Sequence, residues 1–328
     1  MANYILVDYM NMAHRAKNAM FNSDLDTQIG MSMHIMFNSI RKVHNQFSGD
    51  HVLICTEGSS WRKKFYTGYK KNRVLKNLQK TEAEREDDKI FMEAIDDMAV
   101  FFNEKTNATV LNNPEAEADD MIALFIQAHP NDTHFIISSD QDYIQCLAEN
   151  VTIYNGVSEE VIRLDGYFDI KGKPIKDKKG DIKLTPLPEY SLFEKCIRGD
   201  VSDNIFTAYP RVRKKGTKNK VGIIEAFDDR LNKGYDWNNF MLTKWTDPNG
   251  VEHVVQDKYE FNKRLIDLTM QPADIKDRCL VSMAESLAEP RKSNVGIHFL
   301  KFCSAWNLDN LSKYPDDFAT MLNKPYVY

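Results

Sequence analysis

Five of the carboxylates between residues 117 and 142 fall in two groups whose spacing suits one chemistry. Glu117-Ala118-Asp119-Asp120 opens a run with helical apolar spacing, and Asp140-Gln141-Asp142 closes the apolar run Phe135-Ile136-Ile137-Ser138-Ser139. A helix and a strand that neighbour one another in a sheet would bring these acids to one edge. Each close pair then repels by roughly 3 kcal/mol at about 5 Å and an effective dielectric near 20. A positive counter-charge is required, and oxygen-only ligands suit Mg²⁺ or Mn²⁺ better than they suit zinc or copper.

A further pair lies in Gly199-Asp200-Val201-Ser202-Asp203-Asn204, where a helical turn would aim Asp200 and Asp203 at the same ion. Asp8 and Glu57 each follow an apolar run, which brings the set to nine: Asp8, Glu57, Glu117, Asp119, Asp120, Asp140, Asp142, Asp200 and Asp203. Singly, each has a plain structural reading. Asp8 or Asp140 can form a turn at a strand end, Asp119 or Asp120 can cap a helix, and Asp203 can begin one. Chance caps have no reason to choose the same sheet edge repeatedly. Hydrolysis of a phosphodiester needs a nucleophilic water near neutral pH, stabilised phosphorane oxygens and help for the leaving oxygen, and two divalent ions roughly 4 Å apart provide all three.

The elements that must position these acids are legible as apolar runs. Tyr4-Ile5-Leu6-Val7-Asp8, Val52-Leu53-Ile54-Cys55-Thr56 ahead of Glu57, and residues 135–139 ahead of Asp140 have the pattern of strands buried on both faces of a parallel sheet. Residues 108–111 and 151–154 add two more. In open α/β sheets the ligand site lies beyond the carboxyl ends of the strands, where Asp8, Glu57 and Asp140 fall. Residues 32–47, 90–102 and 118–127 carry apolar side chains at helical spacing. Strand and helix alternate, so the expected class is α/β, a mostly parallel central sheet flanked by helices.

Residues 72–88 are polar and helix-prone without a wide apolar stripe, so they lie on the surface or form an arch. Residues 171–183 are rich in Lys, Gly and Asp and read as an exposed loop or hairpin, and residues 234–255 as an inserted hairpin or loop. Helices are expected at 190–197, 222–227, 259–268 and 295–306. The division that follows is an α/β domain over 1–185, with a basic arch near 61–88, and a mainly helical region over 186–328.

The 328 residues are 42% hydrophobic and 28% charged, ordinary for a globular chain with one large core and a smaller domain. No apolar run approaches the roughly 18 residues of a membrane span, and residues 1–3 lead straight into the first strand, so no membrane partner and a cytoplasmic location are expected. Five cysteines with no Cys-x-x-Cys pair indicate neither a disulfide framework nor a zinc site. A net charge of −5 argues by itself against a phosphate-backbone partner, but two segments invert the sign. Residues 61–73 (WRKKFYTGYKKNR) hold six basic residues and four aromatics with no acid, and residues 211–220 (RVRKKGTKNK) hold six basic residues. Lys70 and Arg73 are the candidates for drawing a scissile phosphate toward the metals. Tyr69 is the candidate for stacking on an unpaired terminal base, and Arg62 and Lys71 for backbone contacts. Arg211, Arg213, Lys214, Lys215, Lys218 and Lys220 would hold a duplex through its phosphates, giving affinity without base readout and a steep dependence on salt.

The motif order Leu6-Val7-Asp8-x-x-Asn11, Tyr69-Lys70-Lys71-Asn72-Arg73, Glu117-Ala118-Asp119-Asp120, Ser138-Ser139-Asp140-x-Asp142 and Gly199-Asp200-x-x-Asp203-Asn204 resembles the flap endonuclease and 5′-3′ exonuclease superfamily, its bacteriophage RNase H members most of all. The resemblance runs from Asp8 to about Leu280. It implies a PIN-like 5′-nuclease fold with a helix-turn-helix-type DNA-binding region. It also implies core metal positions at Asp8, Glu117, Asp119, Asp140 and Asp142, completed by Asp120, Asp200 and Asp203. The implied activity is that of a structure-specific 5′ nuclease using two Mg²⁺ ions, or Mn²⁺, to remove RNA primers and 5′ flaps in phage-type DNA replication, with RNase H and 5′-3′ exonuclease activity. Its substrates would be DNA duplex, RNA:DNA hybrid and 5′ flaps, acted on by a monomer in the host cytoplasm. A single-strand DNA-binding protein or a sliding clamp would be the protein partner, although residues 321–326 lack the glutamine and paired aromatics of a clamp-binding peptide.

Two departures from the family stand out. Glu57 occupies a position that is usually Asp, and residues 207–221 are basic with the single glycine Gly216 where relatives commonly carry a Gly-rich hairpin. Three other readings compete. PIN-like ribonucleases are usually shorter and lack an acidic pair followed by a basic helical region. Phosphatases of the haloacid dehalogenase type need Asp-x-Asp after the first strand, where Asp8 is followed by Tyr9 and Met10. A non-catalytic nucleic-acid-binding module gives no reason for nine acids to gather.

Overall fold

The apolar runs that end on acids become neighbouring strands. A computed structural model describes residues 1–210, 212–218 and 220–327. In chain order its elements begin with β1 (Asn3–Asp8), α1 (Tyr9–Ala19), α2 (Leu25–Gln46), β2 (His51–Cys55), α3 (Arg62–Phe65), α4 (Lys71–Leu78) and α5 (Glu82–Lys105). They continue with β3 (Thr109–Leu111), α6 (Ala118–Ala128), β4 (Thr133–Ile137), β5 (Val151–Asn155), β6 (Glu160–Arg163), β7 (Gly166–Phe168) and α7 (Pro188–Arg198). Next come α8 (Ile223–Asp228), α9 (Tyr235–Met241), β8 (Lys244–Thr246), β9 (Glu252–Val254) and α10 (Val255–Ile266). The last four are α11 (Ala273–Leu287), α12 (Val295–Ala305), α13 (Asp309–Ser312) and α14 (Pro315–Leu322).

The chain forms two compact units. One comprises Met1–Trp61, Lys80–Thr185 and Pro272–Tyr328, and the other Arg62–Gln79 and Pro186–Gln271. This differs from the expected division in two places. The last segment belongs with the α/β unit, because α11 packs on α6 and β3, and α14 packs on α2 and β2. The segment expected as an arch is shared out: α4 lies in the second unit with no buried residue, whereas the polar start of α5 lies in the first. There Asp88 meets Lys17 at 2.8 Å, and Thr81 and Glu84 form a reciprocal capping box that sets where α5 begins.

In the first unit seven strands lie in the order β3-β2-β1-β4-β5-β6-β7. The first five are parallel, as the continuous apolar runs predict, and β6 and β7 add an antiparallel edge that periodicity did not foresee. The Lys-rich residues 171–183 extend this edge as a hairpin through the bridges Phe168↔Pro174 and Lys176↔Ile182. Both sheet faces are buried. Ile5, Val7, Val52, Ile54, Phe135 and Ile137 join the core built on α2, α5, α12 and α14, while Tyr4 on the opposite face meets Phe125 of α6 ring to ring at 5.0 Å. α1, absent from the sequence reading, adds Met10, Met12 and Ala13 to the first of these cores. The pairings Asp8↔Cys55, Val7↔Ile137 and Cys55↔Leu111 bring the carboxyl ends of four strands into line.

The second unit is mainly helical, with Phe193, Ile197, Ile223, Phe227, Phe240 and Val255 at its centre. The segment 234–255 expected as a hairpin or loop holds a helix as well, since α9 precedes the β8–β9 hairpin. No helix among the described residues is long and apolar enough to cross a membrane.

Candidate active site

From β1 the chain leads to β2 and β3 on one side, whereas β4 leads to β5 on the other. A sheet whose connections diverge in this way leaves a crevice beyond the carboxyl ends of the two strands at the divide. Asp8 closes β1, and Asp140 follows β4. Asp8 is buried, its Oδ2 accepting from Ser138 Oγ at 2.8 Å and its Oδ1 from the Asn11 N–H at 3.4 Å. Ser138 Oγ in turn accepts the Asp140 N–H at 3.0 Å, and the Asn11 side chain accepts the Ser139 N–H and hydroxyl at 3.1 and 2.8 Å. These bonds tie the two strand ends together. Burial pushes the Asp8 carboxyl up to about 6, and the charge of Asp140 adds to the rise, while donors such as Ser138 oppose it.

A second group forms where the chain leaves β2. A Cβ on Gly58 would fall 1.9 Å from the Asn113 carbonyl oxygen, so this close approach requires glycine. Backbone bonds from Gly58 to Ala116, Ser59 to Pro114 and Trp61 to Glu115 lay residues 58–61 along 114–116. Ser60 Oγ then donates to Glu117 Oε2 at 2.8 Å, and Trp61 Nε1–H to Asp120 Oδ2 at 3.2 Å. Asp120 Oδ2 also accepts the Glu117 N–H at 3.2 Å and so helps to cap α6. One carboxylate oxygen each from Glu117, Asp119 and Asp120 lie within 4.8 Å of one another, the first and third residues buried and Asp119 half-buried.

Tyr143 connects the two groups. It is 1% exposed, and the charges of Asp8, Asp119 and Asp140 all act on its hydroxyl. That hydroxyl helps to hold Asp8 charged, yet it meets no partner at hydrogen-bond geometry. A donor set made of carboxylate oxygens, beside a buried hydroxyl with capacity left, fits a hard divalent cation that keeps some of its waters. Asp142 is half-buried and gives its N–H to Asp140 Oδ1 at 2.9 Å. Glu57 is exposed past the end of β2 and is not one of the three clustered acids. Ser60 and Tyr143 had no place in the sequence reading, and Trp61 stood in it only as an aromatic of the basic run 61–73. Ser60 and Trp61 come two and three residues after Gly58, and Tyr143 directly follows Asp142, but nothing local tells which acids they meet.

On the second unit the other two acids sit in a turn and not in the helix expected from their spacing. Gly199 has φ 75°, and Asp200 and Ile205 close the turn with backbone bonds of 2.8 and 2.7 Å. Asp200 meets Lys195 Nζ at 2.7 Å and accepts from Ser202. Burial acts to raise its carboxyl, but these partners hold it below its ordinary value. Asp203 accepts from Tyr69 Oη at 3.0 Å and from Arg73 Nη2 at 2.6 Å, with Lys70 Nζ at 4.0 Å.

Two of the expected nucleic-acid contacts are corrected. Tyr69 is buried in a cluster with Cys196, Ile205, Leu265 and Ile266, so its ring is not presented for base stacking. Arg62 is 1% exposed and its Nε donates to the Leu265 carbonyl at 2.7 Å, so it serves the unit's interior and not a phosphate backbone. Lys71 and Arg73 are exposed and Lys70 half-buried. Arg213, Lys214, Lys215, Lys218 and Lys220 are all exposed, on a loop held by Gly216 N–H bonds of 3.0 Å to Glu225 and by paired Thr217–Lys220 backbone bonds. Arg211 lies outside the described residues.

A family model described as the 5′-3′ exonuclease N-terminal resolvase-like domain matches residues 3–172. Among solved structures, the T5 5′-exonuclease with divalent metal ions (zinc) bound is similar with a TM-score of 0.58 and 20% identity over 97% of this chain and 99% of that one. The T5 D15 protein co-crystallized with metal ions gives 0.56 and 20% over the same shares. The bacteriophage T5 D15 flap endonuclease in a pseudo-enzyme–product complex with DNA and metal ions gives 0.56 and 19%, again over 97% and 99%. At these identities the likeness is one of fold, a mixed seven-stranded PIN-like sheet flanked by helices with a helical C-terminal region. No curated protein sequence matches the chain.

The raised Asp8 carboxyl yields a stability prediction with a definite sign. Between about pH 4 and 6 the folded chain holds the Asp8 proton that the unfolded chain has lost, so this group's contribution to stability falls as pH rises through that window. In the presence of a chelator, Asp8→Asn is therefore expected to gain about 2 to 3 kcal/mol on the wild type between pH 4 and pH 7, measured by denaturant unfolding at each pH. A difference that does not change with pH would contradict the assignment.

Proposed function

The chain belongs to the 5′-3′ exonuclease family, and from that premise we propose that it is a metal-dependent, structure-specific 5′ nuclease that removes RNA primers and 5′ flaps during DNA replication, with RNase H activity on hybrids. The observation that carries this reading is the gathering of Asp8, Asp119 and Asp140 about the buried Tyr143 hydroxyl, at the divide of the sheet, beside the Glu117–Asp119–Asp120 group.

Asp8, Glu117, Asp119, Asp120, Asp140 and Asp142 would hold the cations, and Glu57, being exposed, would contribute through water. Bound Mg²⁺ or Mn²⁺ supplies a nucleophilic water near neutral pH and neutralises charge on the phosphate being attacked. The chain's own residues prepare for this. Ser138 and Asn11 fix Asp8 against β4, Ser60 orients Glu117, and Trp61 orients Asp120, so the acids keep their geometry as charge changes. Asp200 and Asp203 are proposed as further metal-associated carboxylates of the second unit, beside Lys70 and Arg73 as its phosphate-binding cations. The loop bearing Arg213, Lys214, Lys215, Lys218 and Lys220 offers exposed charge to the backbone of a duplex or hybrid without side chains suited to reading bases.

The test is a cleavage panel of 5′-labelled flap, nicked, single-stranded and RNA:DNA hybrid substrates, with and without Mg²⁺ or Mn²⁺. Short 5′ products that require the cation are expected from flap and hybrid. Asp140→Asn should lower turnover at least a hundredfold while binding changes little. Binding without cleavage at any metal concentration would leave a non-catalytic module as the reading. Separately, replacing Lys214 and Lys215 with Ala should weaken duplex binding and reduce the slope of log affinity against log salt by about one for each phosphate no longer neutralised. A slope equal to the wild type's would remove both lysines from the interface.

A further inference from the structure

Tyr143 stands on the 3-10 turn Gln141–Cys146, which Asp140 caps by accepting the Asp142 N–H at 2.9 Å. Its hydroxyl is buried, lies under the charges of Asp8, Asp119 and Asp140, and meets no hydrogen-bond partner. Other donors to the clustered acids are engaged: Ser138 with Asp8, Ser60 with Glu117 and Trp61 with Asp120. Both oxygens of Asp8 already accept, one from Ser138 and one from the Asn11 N–H, and Asp119 Oδ1 accepts from the Asp120 N–H at 2.7 Å. Burying a hydroxyl without a partner costs stability, and a phenylalanine would fill the same space without that cost. Within the chain this oxygen only helps to hold Asp8 charged and meets no partner at hydrogen-bond geometry, so its capacity to donate is left for the working state of the site.

We infer that Tyr143 is a positioning residue for the hydration shell of the catalytic cation: its hydroxyl donates a hydrogen bond to a water carried among Asp8, Asp119 and Asp140, and so fixes where that water stands. Groups one step removed from a metal commonly tune its affinity in this way, and Mg²⁺ in particular retains several waters when bound by carboxylates. The inference rests on the metal-dependent reading above and adds to it a residue that touches no carboxylate at hydrogen-bond geometry.

Tyr143→Phe separates this role from a structural one. Wild type and variant are compared by thermal unfolding in chelator and across a Mn²⁺ titration, with bound Mn²⁺ counted by electron paramagnetic resonance. Without metal, the variant should unfold at a higher temperature than the wild type, because it has lost an unsatisfied buried oxygen. With metal, its half-saturating Mn²⁺ concentration should rise on the order of fivefold, the loss of about one hydrogen bond. A variant that is less stable in chelator and binds Mn²⁺ as tightly as the wild type would show a merely structural hydroxyl and overturn the inference. A wild type that neither binds nor is stabilised by Mn²⁺ would overturn the metal-dependent reading itself, and this inference with it.

Discussion

Like charges do not collect without something that holds them, and the first unit is built around doing so. Parallel pairing puts the ends of β1, β2, β3 and β4 in line, so every acid placed just past a strand end arrives at the same edge. Strand spacing of about 4.8 Å then sets the scale of their repulsion. The restraints are local and neutral where they are visible: Ser138 and Asn11 stitch β1 to β4, and Ser60 and Trp61 brace the start of α6. The Asp8 carboxyl, raised to about 6 mainly by burial and further by the charge of Asp140, records the cost of holding an acid there. A divalent cation reverses it, since a nearby positive charge favours the charged form of each ligand.

The second unit handles charge differently. Its acids are matched with cations of its own, Asp200 with Lys195 and Asp203 with Arg73. Arg73 is largely exposed whereas Asp203 is mostly buried, so this pair stands where the unit's interior meets solvent. Arg62 is the opposite case. Held on the Leu265 carbonyl inside the unit, it anchors the start of α3 to the end of α10. Two arginines in one basic run thus do unrelated work.

What was legible in the sequence follows from which forces are local. Residues 4–8, 52–56 and 135–139 read as buried parallel strands because burial on both faces leaves an unbroken apolar run, and the acids that end them announce the edge. Helix spacing likewise located α2, α5, α6, α7 and α10. Burial of a charged or aromatic side chain is set by distant packing, so Arg62 and Tyr69 looked like surface contacts and proved internal. The braces of the site were equally hidden, since Ser60 meets Glu117 and Trp61 meets Asp120 only because Gly58 allows the chain to pass close to Asn113. The return of α11 to α14 to the α/β unit depends on which faces meet, and no composition shift marks it.

Carboxylates at the divide of the sheet holding divalent cations is the central claim, and anomalous scattering from crystals grown with Mn²⁺ tests it most directly. We expect manganese peaks within about 2.2 Å of carboxylate oxygens drawn from Asp8, Glu117, Asp119, Asp120, Asp140 and Asp142. Well-ordered crystals with those acids in place and no peak among them, at millimolar Mn²⁺, would contradict it.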